Sequence, residues 1–447
     1  MTDPARDAAF DVLRAVHERD AYANLVLPDL LRQRGLDGRD AALATELVYG
    51  TLRRQGSYDA ILAANLDREP DQLDPPVLDV LRLGAHQLLA TRIPAHAVVS
   101  TAVDLTKARV GEGPAKLVNA VLRRVSTHDL DTWIEQIAPA ASTKPVERLA
   151  LRHSHPAWIA RAMLDALGGD IDELGRALAA DNERPEVTLV ARPGRAELAE
   201  LLEAGARPGR WSPYAAVLSE GDPADLPAVR ERRAGVQDEG SQLVAVAMAA
   251  VPLTGADQRW LDMCAGPGGK AALLAGLANQ RGAGLLAVER QPHRARLVQN
   301  ALRGDPGGHQ VLVADATEPL VGERPFDRVL LDAPCTGLGA LRRRPEARWR
   351  RQPDEVAGLR SLQVRLLRAA IEAVRPGGVV AYSTCSPHLA ETSTVVSDAL
   401  RNRADMERVD ARPYLPNVPH LGDGPDVQLW PHRHGTDAMY LALLRRS

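Results

Sequence analysis

Aromatic side chains are scarce in this chain: two Phe, six Trp and seven Tyr among 447 residues, or 3%. Buried cores must therefore be built mainly from Leu, Val and Ala, which an apolar share of 45% can supply. Cysteine is scarcer, with three residues, Cys264, Cys335 and Cys385. An odd number at such wide spacing excludes a disulfide framework and fits no zinc pattern, so no metal is expected. Long apolar runs are missing too. The longest, Leu243 to Leu253, falls well short of the roughly 20 residues a membrane-spanning helix needs. The first ten residues are polar and lack the apolar segment of a secretory signal. A cytoplasmic protein with no membrane partner is the expectation. Positive charge is not in excess either, since the net charge is −3 and only four of the 55 basic residues are lysines. Residues 1–145 carry 17 basic against 20 acidic residues. Contact with nucleic acid would have to come from local patches rather than from overall charge.

The length allows two to four domains. Residues 1–145 read as all-helical: Ala9, Val12, Leu13 and Val16 keep helical spacing, and Val77, Leu81, Ala85 and Leu88 repeat it after Pro75-Pro76, a favoured helix start. Residues 146–235 read as a linker and small α+β subdomain, with a helix opening near Pro156 and strands at Val187–Val190 and Ala215–Leu218. Residues 236–447 change character. Short apolar runs at 260–261, 284–288, 311–313, 329–331 and 379–382 alternate with helical stretches. That alternation predicts an α/β, doubly wound, Rossmann-like domain.

The first of these runs ends in Cys264, Ala265, Gly266, Pro267, Gly268, Gly269 and Lys270, and a helix follows. Glycines in a strand-to-helix turn let the backbone approach a ligand closely. Glu289 closes the second run, where a carboxylate can accept bonds from ribose hydroxyls, and Asp315 closes the third, where it can meet an adenine amino group. Ala271 after Lys270, and the missing four-residue gap between glycines, exclude a phosphate-binding P-loop.

The fourth run leads into Asp332-Ala333-Pro334-Cys335 and the fifth into Ser383-Thr384-Cys385-Ser386, which would bring two thiols to one sheet edge beside the cofactor. The chemistry of cytosine gives thiols a purpose. Carbon 5 attacks a sulfonium methyl only after a thiolate has added to carbon 6, which is covalent catalysis. The ring then needs a proton or strong hydrogen bond at its third nitrogen, for which Asp332 is the candidate, with a raised pKa if it acts as an acid. A helix beginning near Pro387 would help activate the attacking thiol. No aromatic residue follows Asp332 to stack a base around an amino group, which argues against a nitrogen target.

These residues resemble the RNA 5-methylcytosine methyltransferase family over nearly the whole chain, and the helical N-terminus resembles the NusB-like RNA-binding domain of one subfamily, most clearly at Val118 to Arg123. The resemblance implies S-adenosyl-L-methionine (SAM) as cofactor, bound by residues 264–270, Glu289, Asp315 and Asp332. It implies Cys385 as nucleophile, Cys335 as the sulfur that assists product release, and a monomer acting on small-subunit (16S) ribosomal RNA or an assembly intermediate. Transfer RNA, large-subunit RNA, or a ribosome-assembly role with a vestigial site are the alternatives. Glu391-Thr392 departs from the family's frequent Glu-Asn, and Asp437 to Tyr440 from its Asp-Gly-Phe-Phe. Arg342, Arg343, Arg344, Arg348, Arg350 and Arg351 surround Trp349 just after the Cys335 loop, and are expected to contact RNA.

Overall fold

A computed structural model describes residues 2–319 and 324–447, which form two compact units. The first comprises residues 2–183 together with 341–351, and the second comprises 184–319, 324–340 and 352–447.

The first unit is all-helical among its described residues. It runs from the helix Pro4–Arg19, which Asp3 caps by accepting the Arg6 N–H at 2.9 Å, to the helix Ile171–Ala180. Its core is mostly aliphatic, as aromatic scarcity requires: Leu13, Leu47, Leu52, Ile61, Leu81 and Leu122 are buried, with Tyr58 among them. Asp79 is also buried, and it holds Arg14 at 2.8 Å and His17 at 2.6 Å. Burial pushes its carboxyl upward, but these partners outweigh that and hold it below its ordinary value.

Two features of this unit differ from the sequence expectation. The stretch 146–183 does not join a separate linker domain. Its helices, Pro145–Arg152, Ala157–Ala166 and Ile171–Ala180, belong to the helical unit. The arginine-rich segment 341–351 belongs there as well, so Arg348 and Arg350 are spent inside the protein rather than on RNA. Arg348 is fully buried and donates to the carbonyls of Arg53, Ser154 and Asp181 and to the Asn182 side chain at 2.8–3.1 Å. Arg350 donates to the carbonyls of Val16, Asp20 and Ala21. The Trp349 ring lies so close to Gly56 that a Cβ there would meet it at 2.2 Å. A guanidinium presents five N–H donors and can satisfy several carbonyls left over at helix ends, and that geometry decides its use here.

The second unit holds two sheets. Val187–Ala191 (β1), Arg207–Pro208 (β2), Ala215–Leu218 (β3) and Ala234–Val236 (β4) form a small antiparallel sheet in the order β2-β3-β1-β4. The larger sheet uses Arg259–Asp262 (β5), Gly284–Val288 (β6), Gln310–Leu312 (β7), Phe326–Asp332 (β8), Val374–Thr384 (β9), Met406–Val409 (β10), Val427–Gln428 (β11) and Tyr440–Arg446 (β12). Its order is β10-β12-β9-β8-β5-β6-β7, with β11 also paired to β12. Strands β5 to β9 are parallel, and β12 runs antiparallel to β9. The three C-terminal strands carry no clear alternation in the sequence and were not expected from it.

Alternation along the strands sends side chains to two apolar layers. Trp260, Leu330 and Ala381 join one layer, with the helices Glu239–Ala250 and Gly269–Asn279. Leu261, Val329, Leu331 and Tyr382 join the other, with the helix Glu355–Ala373. Both faces are thus covered, which a parallel sheet needs. The strand order reverses beside β5, which opens a crevice at the carboxyl ends of β5 and β8. Among the described residues no helix is long and apolar enough to cross a membrane.

Candidate active site

The glycine turn follows β5. Gly268 sits at φ +111°, a backbone conformation open to glycine, and the helix Gly269–Asn279 starts directly after it. Gly266 lies against Glu289, where a Cβ would meet Oε2 at 2.2 Å. The Gly266 N–H donates to Glu289 Oε2 at 3.1 Å and the Gln291 N–H to Oε1 at 2.9 Å, so the second-strand acid is locked onto the turn. Ala265 N–H donates to the Val288 carbonyl at 2.9 Å. Asp315 lies three residues past the end of β7 rather than on it. It accepts from the Thr317 N–H at 3.0 Å and hydroxyl at 2.8 Å, which hold its carboxyl below the ordinary value.

Lys270 reaches from the first turn of the helix to Asp332 at the end of β8, 2.8 Å away. Burial lowers the Lys270 pKa, but the Asp332 carboxylate reverses this and the net shift is upward. The other Asp332 oxygen accepts the Ser383 hydroxyl at 3.0 Å. Asp332 therefore bridges the Lys270 ammonium and the Ser383 hydroxyl.

The registry of β8 on β9 pairs Leu331 with Tyr382 and Asp332 with Ser383, so the loops carrying Cys335 and Cys385 leave the sheet side by side. Their sulfurs lie 3.4 Å apart. The neighbouring Cys385 thiol, and then burial, push the Cys335 thiol well above its ordinary value. Cys264 stays on the glycine turn, its thiol raised by burial and then by Asp262. The helix expected near Pro387 is absent. A three-residue turn, Leu389–Glu391, comes first, and the helix Ser393–Leu400 begins beyond it, so no helix N-terminus abuts Cys385.

Two residues were missed by sequence reasoning. Asp262 ends β5 directly before the glycine turn, a position that could have drawn attention. It is completely buried, and its carboxyl is pushed up to about 7, first by burial and then by Asp332. The folded chain therefore keeps a proton there that the unfolded chain releases above the ordinary value of 3.8. Its contribution to stability is present below that value and is lost as pH rises toward about 7. Asp262→Asn is expected to melt above the native chain at pH 7 to 8 and level with it near pH 4. Parallel melting profiles across this range would show that the buried carboxyl carries no such penalty. Gln237, the second, is 7% exposed, and its Oε1 has no hydrogen-bond partner among the described residues. Its carboxamide packs 3.8 Å from where a Cβ on Gly269 would stand.

Residues 251–445 match the family described as 16S rRNA methyltransferase RsmB/F, and residues 3–127 match the NusB family. A Mycobacterium tuberculosis protein that carries a methyltransferase name is 56% identical over 446 residues, covering 99% of this chain and 97% of that one. The ribosomal RNA small subunit methyltransferase B of Pseudomonas putida is 33% identical over 452 residues, covering 98% of each chain. The chain belongs to the RsmB/F methyltransferase family. Among solved structures, the crystal structure of PH0851 superposes with a TM-score of 0.80 at 22% identity over 100% of both chains. A methyltransferase homologue from Pyrococcus horikoshii superposes at 0.53 and 22% identity, over 68% of this chain and all of its own. These two carry the fold.

As an RsmB/F-family methyltransferase, the chain uses SAM. Its crevice suits that molecule. Gln237 offers an unused buried acceptor for an ammonium group, the start of the helix Gly269–Asn279 offers backbone N–H groups for a carboxylate, and Glu289 offers acceptors at the ribose position.

Proposed function

We propose that this chain methylates carbon 5 of a cytosine in 16S ribosomal RNA through a covalent Cys385–cytosine intermediate. The apposition of the two thiols at 3.4 Å, on adjacent strand ends beside the Lys270–Asp332 pair, carries the reading. Two sulfurs in one crevice fit a reaction that must both form and break a carbon–sulfur bond.

The bound cofactor supplies the electrophilic methyl group. Residues 264–270, Glu289 and Gln237 hold it, with Asp315 and Asp332 at its margins. Cys385 Sγ, as thiolate, adds to carbon 6 of the flipped-out base, and the ring's electron pair moves to carbon 5. As the thiolate adds, the third nitrogen takes up a proton that passes from Lys270 Nζ through the Asp332 carboxyl 2.8 Å away, and it gives that proton back when the ring electrons return. After methylation the carbon 5 proton leaves to a base, the ring electrons return, and the bond from carbon 6 to Cys385 Sγ breaks. Cys335, whose thiol its sulfur neighbour and burial push upward, stands 3.4 Å from Cys385 Sγ, close enough to donate to the departing sulfur. The family's use of the second cysteine in release supports the same division. The names of the relatives at 30% identity and above support the small-subunit target.

The test is the product. Incubated with labelled cofactor, the chain should place its methyl on one cytosine of 16S RNA, alone or in an assembly intermediate, and bisulfite sequencing should read that position as protected. Methylation of transfer RNA or 23S RNA in its place would refute the target. Methyl label without bisulfite protection would refute the cytosine-5 chemistry.

A further inference from the structure

The loop that carries Cys335 is held from below by a buried polar cluster for which the reaction scheme has no use. Glu391 is fully buried on the turn after β9. Its Oε1 accepts the Thr336 N–H at 2.8 Å and the Gln363 amide at 3.1 Å, and its Oε2 accepts the Thr336 hydroxyl at 2.5 Å. The same Gln363 amide nitrogen, from the middle of the helix Glu355–Ala373, donates to the Pro334 carbonyl at 2.8 Å. The residues on either side of Cys335 are thus both anchored, one directly to Glu391 and the other through Gln363. The Tyr382 hydroxyl fixes the turn in its place by donating to the Glu391 carbonyl at 2.7 Å. All three of these bonds are donated to the Glu391 side chain, and an apolar side chain of similar length would deprive the Thr336 N–H and the Gln363 amide of that acceptor.

A buried carboxylate is costly and makes weak evidence for stability alone. Its placement under the two peptide units that flank one cysteine points to precision at that cysteine. We propose that Glu391 and Gln363 are positioning residues that fix the reach of Cys335 toward the Cys385 sulfur, and so set the rate of adduct release. This rests on Cys335 acting in release.

The full-length chain tests it with 16S RNA and SAM, by measuring the fraction of enzyme in a denaturant-stable RNA adduct together with kcat and KM. Cys335→Ala serves as reference, and Glu391→Met and Gln363→Met are the variants, each removing one hold while nearly keeping side-chain volume. Both are expected to accumulate adduct as Cys335→Ala does. Their kcat should fall about 10- to 100-fold, the scale of a misplacement near 1 Å, while KM for RNA stays within about twofold. Melting and calorimetric SAM binding confirm the fold of each variant, and a merely structural loss would lower the active fraction without trapping adduct. If Cys335→Ala traps adduct and neither variant does, the positioning role is wrong. If Cys335→Ala itself traps none, the reading of Cys335 fails and takes the proposal with it.

Discussion

Cys385→Ala should bind SAM like the native chain and methylate no RNA, with activity down by at least about 10³-fold, because removal of a covalent nucleophile leaves only binding and orientation. The glycine turn, Glu289 and Gln237 proposed to hold the cofactor are unchanged in this variant, so calorimetric binding should be preserved. Cys335→Ala should behave in the opposite way. It keeps the attacking sulfur and loses the neighbour 3.4 Å away. Attack and methyl transfer proceed, release stalls, and a band of protein linked to RNA should persist on a denaturing gel. The double variant should show neither turnover nor adduct. Adduct in Cys385→Ala but not in Cys335→Ala would reverse the roles, and normal turnover by Cys385→Ala would remove the nucleophile altogether. Its sulfur neighbour and burial push the Cys335 thiol toward its protonated form.

Arg348→Met should cost the helical unit roughly 3–5 kcal/mol, since it removes one charged donor from several buried acceptors while nearly keeping the volume. Four acceptors lose this donor: the carbonyls of Arg53, Ser154 and Asp181 and the Asn182 side chain. Burial already draws the guanidinium pKa down to about 10, so the native hydrogen bonds are what keep this charge inside. For a unit of this size the melting temperature should fall by about 10 °C. Arg344, the exposed arginine of the same segment, lies over the Tyr22 ring at 5.1 Å, and Arg344→Ala should shift melting by no more than about 0.5 kcal/mol. Equal melting of Arg348→Met and the native chain would refute the anchoring role. Weaker RNA binding by Arg348→Met, with melting unchanged, would restore the direct RNA contact expected from the sequence.

The legible parts of this protein are those whose physics is local. The strand, glycine turn and helix around residues 259–279 announce themselves through three glycines and a change of periodicity, and the helix after Pro75 through its proline start. The fourth- and fifth-strand cysteines were found because each follows a short apolar run directly. Asp315 was placed on a strand that in fact ends at Leu312, since three residues are too few for alternation to mark an end. The helix expected at Pro387 failed for a related reason: proline is compatible with a helix start but does not compel one, and here the chain first makes a short turn that delivers Glu391 under the Cys335 loop.

By itself the sequence determined which chemistry is available: a cofactor turn, an acid ladder and two thiols on neighbouring strand ends, with an aliphatic core imposed by the shortage of aromatics. Only the tertiary structure decided how those groups are used. The partners of Arg348 lie up to 295 positions away, Lys270 meets Asp332 across 62, and Glu391 meets Thr336 across 55. Such contacts depend on how separate elements pack, which no local periodicity encodes, and so the same arginine reads as an RNA ligand in the sequence and stands as a buried fastener in the fold.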